Sequence, residues 1–314
     1  MVNIKMYVVF ILSIIITPMA LAETHKIKVI SPVSVAEMMK GKGKPVTISL
    51  KFSNMDQFDA RGIALIMPSS TKNMEDERDY AKRMAGMGFA TVIVDGVTPR
   101  FKSKFSKSYT SAMVVADLAA AIAFIDSEYG TPKQIVALGS STGSLALIAS
   151  QMKPVVAYKP ALGRIDDIFM LNAACPDKIE AGIVDTADIY TVNGLQDDST
   201  VAFACENTKR LNDIPNLTLL TYEGGHHFMS RRFHGTKRVN GKHLIPTCSL
   251  NYDAEGYMYA VNRSNGAEKS EQKVGHQAMT KWVLKTCLRS GHLQGYVKAS
   301  ADQFWADVAR LVSP

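Results

Sequence analysis

From Val46 onward, short apolar runs recur between amphipathic stretches, and this alternation constrains the chain more than any other feature. IALIM (63–67) and the IVAL of QIVALG (134–139) are apolar throughout, so as strands they must be covered on both faces. VTISLKF (46–52), ATVIVD (90–95), DIFMLN (167–172), DIYTV (188–192) and LTLLTY (217–222) extend the series. Between them, MEDERDYAKRMAGMG (74–88) opens with acids and closes with glycines, as helix termini require. SAMVVADLAAAIAFIDSEYG (111–130) is apolar on most faces and predicts a largely buried helix. The pattern predicts an α/β fold: a mostly parallel central sheet with helices on both faces, binding ligands beyond the carboxyl ends of its strands.

The N-terminus stands outside that pattern. MVNIKMYVVFILSIIITPMALAE has one lysine, an apolar run and an Ala20-Leu21-Ala22 site, the layout of a secretory signal peptide cleaved after Ala22. The run is shorter than a spanning helix needs and Pro18 interrupts its end, so no stable membrane span is expected after cleavage. Residues 23–314 are then expected to form a single domain, periplasmic or secreted. The formal charge of +7 comes from scattered basic residues, with local clusters at RFKSKFSK (100–107) and SRRFHGTKR (230–238). Neither matches a nucleic-acid-binding motif, so no nucleic-acid partner is expected. Cys175, Cys205, Cys248 and Cys287 form an even set in an exported chain, which favours disulfides; without CxxC spacing, no metal site is expected.

The stretch ALGSSTGSLA (137–146) holds Gly139-x-Ser141-x-Gly143 directly after a predicted strand and at the opening of a helix. In that setting the serine sits at the apex of a tight turn, flanked by glycines because a Cβ there would clash. A serine hydroxyl needs a base to remove its proton, and the base needs an acid to fix its tautomer. Each should follow a later strand. TVNGLQDDST follows the strand at 188–192 and YEGGHHFM the strand at 217–222, giving the chain order Ser, Asp, His of the α/β-hydrolase fold. The oxyanion of acyl transfer needs two backbone N–H donors: Thr142, after the nucleophile, and Ser69 or Ser70 in the MPSST turn. An S-x-x-K match at Ser69–Lys72 recurs at Ser270–Lys273 and lacks the K-T-G element of its class.

Several segments resemble the dienelactone hydrolase-like family of the α/β-hydrolase superfamily. GLQDDSTVAFACENTKRL resembles that family's acid-bearing strand end and following helix; TYEGGHHFM resembles its histidine segment, and LNYDAEGYMYA a stretch downstream of it. The resemblance spans roughly residues 60 to 285 and implies Ser141 as nucleophile, Asp197 as orienting acid and His227 as base. Asp198 is the rival acid, read instead as a helix N-cap, and His226 is the rival base. Many members carry Cys where this chain has Ser141, and their W-T-P after the paired acids is replaced here by Ser199-Thr200-Val201. A serine in that place looks more like a general esterase of small carboxylic or thio esters, with no cofactor implied. An amidase or peptidase would use the same triad, and a non-catalytic binding relative would share the fold. On the same resemblance, Cys175 is expected to pair with Cys205, and Cys248 with Cys287.

Only about fifteen residues (173–187) separate the strands at 167–172 and 188–192, too few for a large lid domain, so the site is expected to be open. The polar stretch 229–266 reads as a surface excursion containing a hairpin. Helices are expected at about 268–287 and 301–312, the last with a Ser300–Gln303 capping box and a buried stripe of Phe304, Val308, Leu311 and Val312.

Overall fold

The computed structural model describes residues 23–101, 109–233, 235–244 and 248–313. The expected signal peptide (1–22) and residues 102–107 of the first basic cluster lie outside the described residues. The main sheet uses β1 (Glu23–Ser31), β2 (Lys44–Ser53), β3 (Ile63–Met67), β4 (Ala90–Asp95), β5 (Ile135–Ser140) and β6 (Asp167–Leu171). After a short β7 (Lys178–Ile179), it is completed by β8 (Asp188–Gly194) and β9 (Leu217–Tyr222). Its strand order is β1-β2-β4-β3-β5-β6-β8-β9. β1 and β2 run antiparallel to their neighbours and the rest are parallel. This is the arrangement of the α/β-hydrolase fold, as the sequence predicts.

Burial follows sequence. Every residue of β3, β4, β5 and β6 is buried, whereas β1 is mostly exposed or half-buried. The polar text of β1, ETHKIKVIS, carries too weak an apolar pattern to be read as a strand, and pairing along the whole of β2 makes it one. Helices α1 (Val35–Met39), α2 (Glu75–Gly86), α3 (Ser111–Glu128), α4 (Thr142–Ser150), α5 (Lys153–Tyr158) and α6 (Ala202–Asn212) connect the strands. Thr110 caps α3 by accepting the Met113 N–H at 3.3 Å. The chain goes from β3 to β4 on one side and returns to β5 on the other. The order therefore reverses between β3 and β5, and the crevice at their carboxyl ends is where such sheets bind ligands.

The excursion after β9 is more ordered than its composition suggests. It supplies β10 (Lys237–Leu244), β11 (Cys248–Tyr252), β12 (Met258–Asn262) and β13 (Ala267–Ser270), followed by α7 (Glu271–Val274), α8 (His276–Thr286), β14 (Leu288–Gln294) and α9 (Lys298–Leu311). β11 and β12 form the expected hairpin, which β13 and β7 widen to a four-stranded sheet, while β10 pairs with β14. The disulfides are Cys175–Cys205 and Cys248–Cys287, the pairing the resemblance implies. Two helix expectations need correction. The helix expected over 268–287 begins as β13 and is broken at Gly275, whose φ of 79° an α-helix cannot contain. The Ser300–Gln303 box does not form, because α9 starts at Lys298 with Val297 as N-cap. The amides of Gly295, Tyr296 and Val297 are held by the carbonyls of His226, Phe233 and Phe228, which fixes the entry to that helix earlier in the chain.

Candidate active site

Ser141 sits between β5 and α4 with φ 54° and ψ −111°, a conformation that non-glycine residues rarely adopt. The surroundings enforce it. Its N–H donates to the Leu171 carbonyl at 3.1 Å, and its own carbonyl accepts the Leu145 N–H at 3.1 Å and the Ser144 hydroxyl at 2.6 Å. The motif glycines have a measurable reason: a Cβ on Gly139 would lie 2.7 Å from the Gly143 backbone, and one on Gly143 would lie 2.9 Å from the Pro68 carbonyl oxygen. The turn can close only where both positions lack side chains.

Asp197 lies just beyond β8 and is buried. Its Oδ1 accepts the N–H groups of Ser199 and Thr200 at 2.8 and 2.9 Å, and its Oδ2 accepts the Thr200 hydroxyl at 2.7 Å. The remaining partner is His226, whose Nδ1 stands 3.0 Å from Oδ2. Backbone bonds hold His226 in place: its N–H donates to the Leu293 carbonyl at 2.8 Å and its carbonyl accepts from Gly295. The close approach depends on glycine again, since a Cβ on Gly194 would lie 2.2 Å from the Gly224 carbonyl oxygen. With Nδ1–H donated to Asp197, the Nε2 lone pair of His226 is left to accept a proton.

The expectation that His227 is the base does not fit this geometry. His227 turns at φ 56°, donates its backbone N–H to Asn172 Oδ1 at 3.0 Å and sets its Nδ1 2.9 Å from Asn172 Nδ2. An amide nitrogen only donates, so Nδ1 of His227 is the acceptor and the neutral ring carries its proton on Nε2. That nitrogen can donate but cannot take a proton from serine. Burial, then the neighbouring His226, Arg232 and His292, hold His227 well below the usual histidine range and keep it neutral. The two rings touch, with centroids 4.1 Å apart, but only that of His226 reaches the acid, and a sequence alignment on Gly224-Gly225 cannot see which of them does.

Asn172, which the sequence reading passed over, ties this turn to the serine turn: its Nδ2 also donates to the Ser140 hydroxyl at 3.2 Å. Its position at the carboxyl end of β6, one strand from Ser141, is the signal that could have found it. Asp198 is not the N-cap of α6, which begins at Ala202 with Val201 as cap. Instead it accepts the Leu293 N–H at 2.7 Å and pairs with Arg238 at 2.9 Å, anchoring β14 beside the histidines.

Thr142 opens α4, where the first amides of a helix have no intrahelical acceptor, as an oxyanion donor requires. Ser69 is corrected: its N–H donates to the Glu77 carboxylate at 3.0 Å, which leaves the adjacent Ser70 as the candidate in that turn. Burial of Glu77 pushes its carboxyl up to about 7, only partly offset by the Ser69 amide and by Arg232, with Asp76 acting in the same direction as burial. The folded protein thus binds a proton here that the unfolded chain releases near pH 4.5, so this group's contribution is fully present below pH 4.5 and is lost as pH rises through about 7. Glu77→Gln should match the wild type at pH 4 and be more stable at pH 8 by roughly 3 kcal/mol. Urea unfolding at the two pH values checks this, and equal differences at both would show that Glu77 does not titrate between them.

The expectation of an open edge is corrected on one side. The Tyr252 hydroxyl of β11 meets the Ser111 hydroxyl at 3.0 Å, which lays the excursion against the start of α3 and walls the space beside Thr142. Ser141 itself remains half-buried. Among the described residues there is no group of three metal-ligating side chains, and no helix is long and apolar enough to cross a membrane.

No family model and no curated protein matches the chain. Among solved structures it is similar to a dienelactone hydrolase-like promiscuous phosphotriesterase from metagenomic libraries, at 11% identity and a TM-score of 0.46 over 92% of this chain and 97% of that one. It is also similar to a thermophilic esterase from the Planctomycetes species Thermogutta terrifontis, at 16% identity and a TM-score of 0.45 over 59% and 80% of the two chains. An α/β hydrolase enzyme from a Medee basin deep-sea metagenome library stands at 12% identity and 0.45 over 66% and 84%.

Proposed function

We propose that the protein is an exported serine hydrolase that cleaves carboxylic or thio esters through an acyl-enzyme. The observation that carries this reading is the buried Asp197–His226 pair at 3.0 Å, held at the same sheet edge as a serine with φ 54°. In the first half-reaction His226 Nε2 takes the Ser141 proton while Oγ attacks the ester carbon, and the carbonyl oxygen becomes an oxyanion facing the amides of Thr142 and Ser70. The oxyanion collapses, the bond to the alcohol oxygen or thiol sulfur breaks, and protonated His226 gives its proton to that leaving atom. Water then repeats the sequence on the acyl-enzyme, with His226 again as base, and releases the acid. Asp197 keeps its charge throughout and stabilises the imidazolium. All four cysteines are paired, which agrees with an oxidising compartment and supports export.

The test is to incubate the mature protein with a fluorophosphonate probe and, separately, with short-chain p-nitrophenyl esters. We expect ester turnover together with one label on the peptide containing Ser141. Folded protein that neither labels nor turns over any ester would overturn the reading in favour of a non-catalytic relative of the fold.

A further inference from the structure

A half-open cavity of about 170 Å³ lies directly beside Thr142 and is walled on one side by the excursion. Its volume is close to that of the roughly 150 Å³ engineered cavity that holds one benzene ring. Part of its wall is apolar: Leu145 from α4, Met258 from β12 and Val33 after β1. The opposite part is polar and organised. Glu271, 6% exposed, sets Oε1 2.5 Å from His276 Nδ1 and uses Oε2 to accept the Met258 N–H at 2.9 Å. His276 Nε2 lies 3.3 Å from the Thr280 hydroxyl, and all three side chains line the cavity. With Nδ1–H donated to Glu271, His276 accepts the Thr280 hydroxyl proton at Nε2, so this wall offers the Glu271 carboxylate and the Thr280 hydroxyl oxygen as acceptors and suits a ligand hydroxyl. A ligand carboxylate would meet the charge of Glu271.

Position decides which half of an ester would enter. His226 must reach the leaving atom, and it lies after β9, on the β6–β8–β9 side of Ser141. The cavity lies on the other side of β5, where Val33, just after the edge strand β1, and Tyr109 and Ser111, at the start of α3, line it. The half of the ester lying away from His226 is the acyl half.

We propose that the cavity between Thr142 and the Glu271–His276 pair is the acyl subsite and that it selects an uncharged, hydroxylated ring such as a phenolic acyl group. The inference rests on the serine hydrolase reading. The test compares p-nitrophenyl 4-hydroxyphenylacetate with p-nitrophenyl phenylacetate, and the corresponding 4-hydroxycinnamate with cinnamate, which moves the ring further from the carbonyl. In the wild type the hydroxylated ester of at least one pair should have the higher kcat/KM by ~10-fold or more, as a hydrogen bond to a charged carboxylate would give. The ratio should fall to within about twofold of unity in Glu271→Gln, which removes the charge while keeping an acceptor for Met258. Should that variant fail to fold, the wild type alone decides through inhibition of p-nitrophenyl acetate hydrolysis, where 4-hydroxyacetophenone should bind ~10-fold more tightly than acetophenone. Turnover of p-nitrophenyl acetate with hydroxylated and plain rings equal in both series overturns the subsite and leaves the hydrolase reading standing. No turnover of any ester overturns both.

Discussion

Ser141→Ala should lower kcat/KM for short-chain p-nitrophenyl esters by ~10⁴-fold or more and abolish fluorophosphonate labelling, because the variant lacks the atom that becomes acylated. The loss should appear without loss of fold. Alanine keeps the Ser141 N–H bond to Leu171 and the carbonyl bonds to Leu145 and Ser144, none of which uses the hydroxyl. A companion measurement separates nucleophile from turn. At φ 54° and ψ −111° any Cβ is strained, so Ser141→Gly should be more stable than Ser141→Ala by about 1–3 kcal/mol in urea unfolding while being equally inactive. An alanine variant that retains substantial turnover would move the nucleophile elsewhere, and a glycine variant no more stable than alanine would remove strain from the account of this turn.

The second large effect is an asymmetry between adjacent histidines. His226→Ala should reduce turnover by ~10³-fold or more, since it removes the imidazole held by Asp197. His227→Ala should cost far less, ~10-fold, through loosening of the Asn172 clamp that joins the histidine turn to Ser140. Both variants are to be compared under saturating substrate, where the difference falls on kcat. The reverse ranking would restore His227 as the base and require the turn to rearrange on substrate binding. The hydrogen bonds make that costly: His226 would have to leave Asp197, and His227 would have to give up Asn172 at both its backbone N–H and its ring.

The parallel strands were legible because each is a short apolar run between helix signals, and β3, β4 and β9 begin and end at the residues the pattern gives. The glycines around Ser141 were legible for a similarly local reason: a tight strand-to-helix turn excludes Cβ atoms wherever it occurs. β1 was not legible, because its polar residues become a strand only against β2. The same holds for α9, whose start is set by three carbonyls from the histidine turn, at some seventy residues' distance in the chain.

For the candidate site, sequence by itself determined the residue types and their order along the sheet edge: serine after β5, acid after β8, histidine after β9. It also determined the cysteines that could pair. Only the tertiary structure decided which of His226 and His227 faces Asp197, that the Ser69 amide belongs to Glu77, that Asp198 holds β14, and that Glu271 and His276 line a cavity beside Thr142. The physical reason is the range of the forces involved. Strand, helix and turn preferences act within a few residues and are written locally, whereas a hydrogen bond chooses its partner by distance and direction, and those exist only once segments far apart in the chain have packed together.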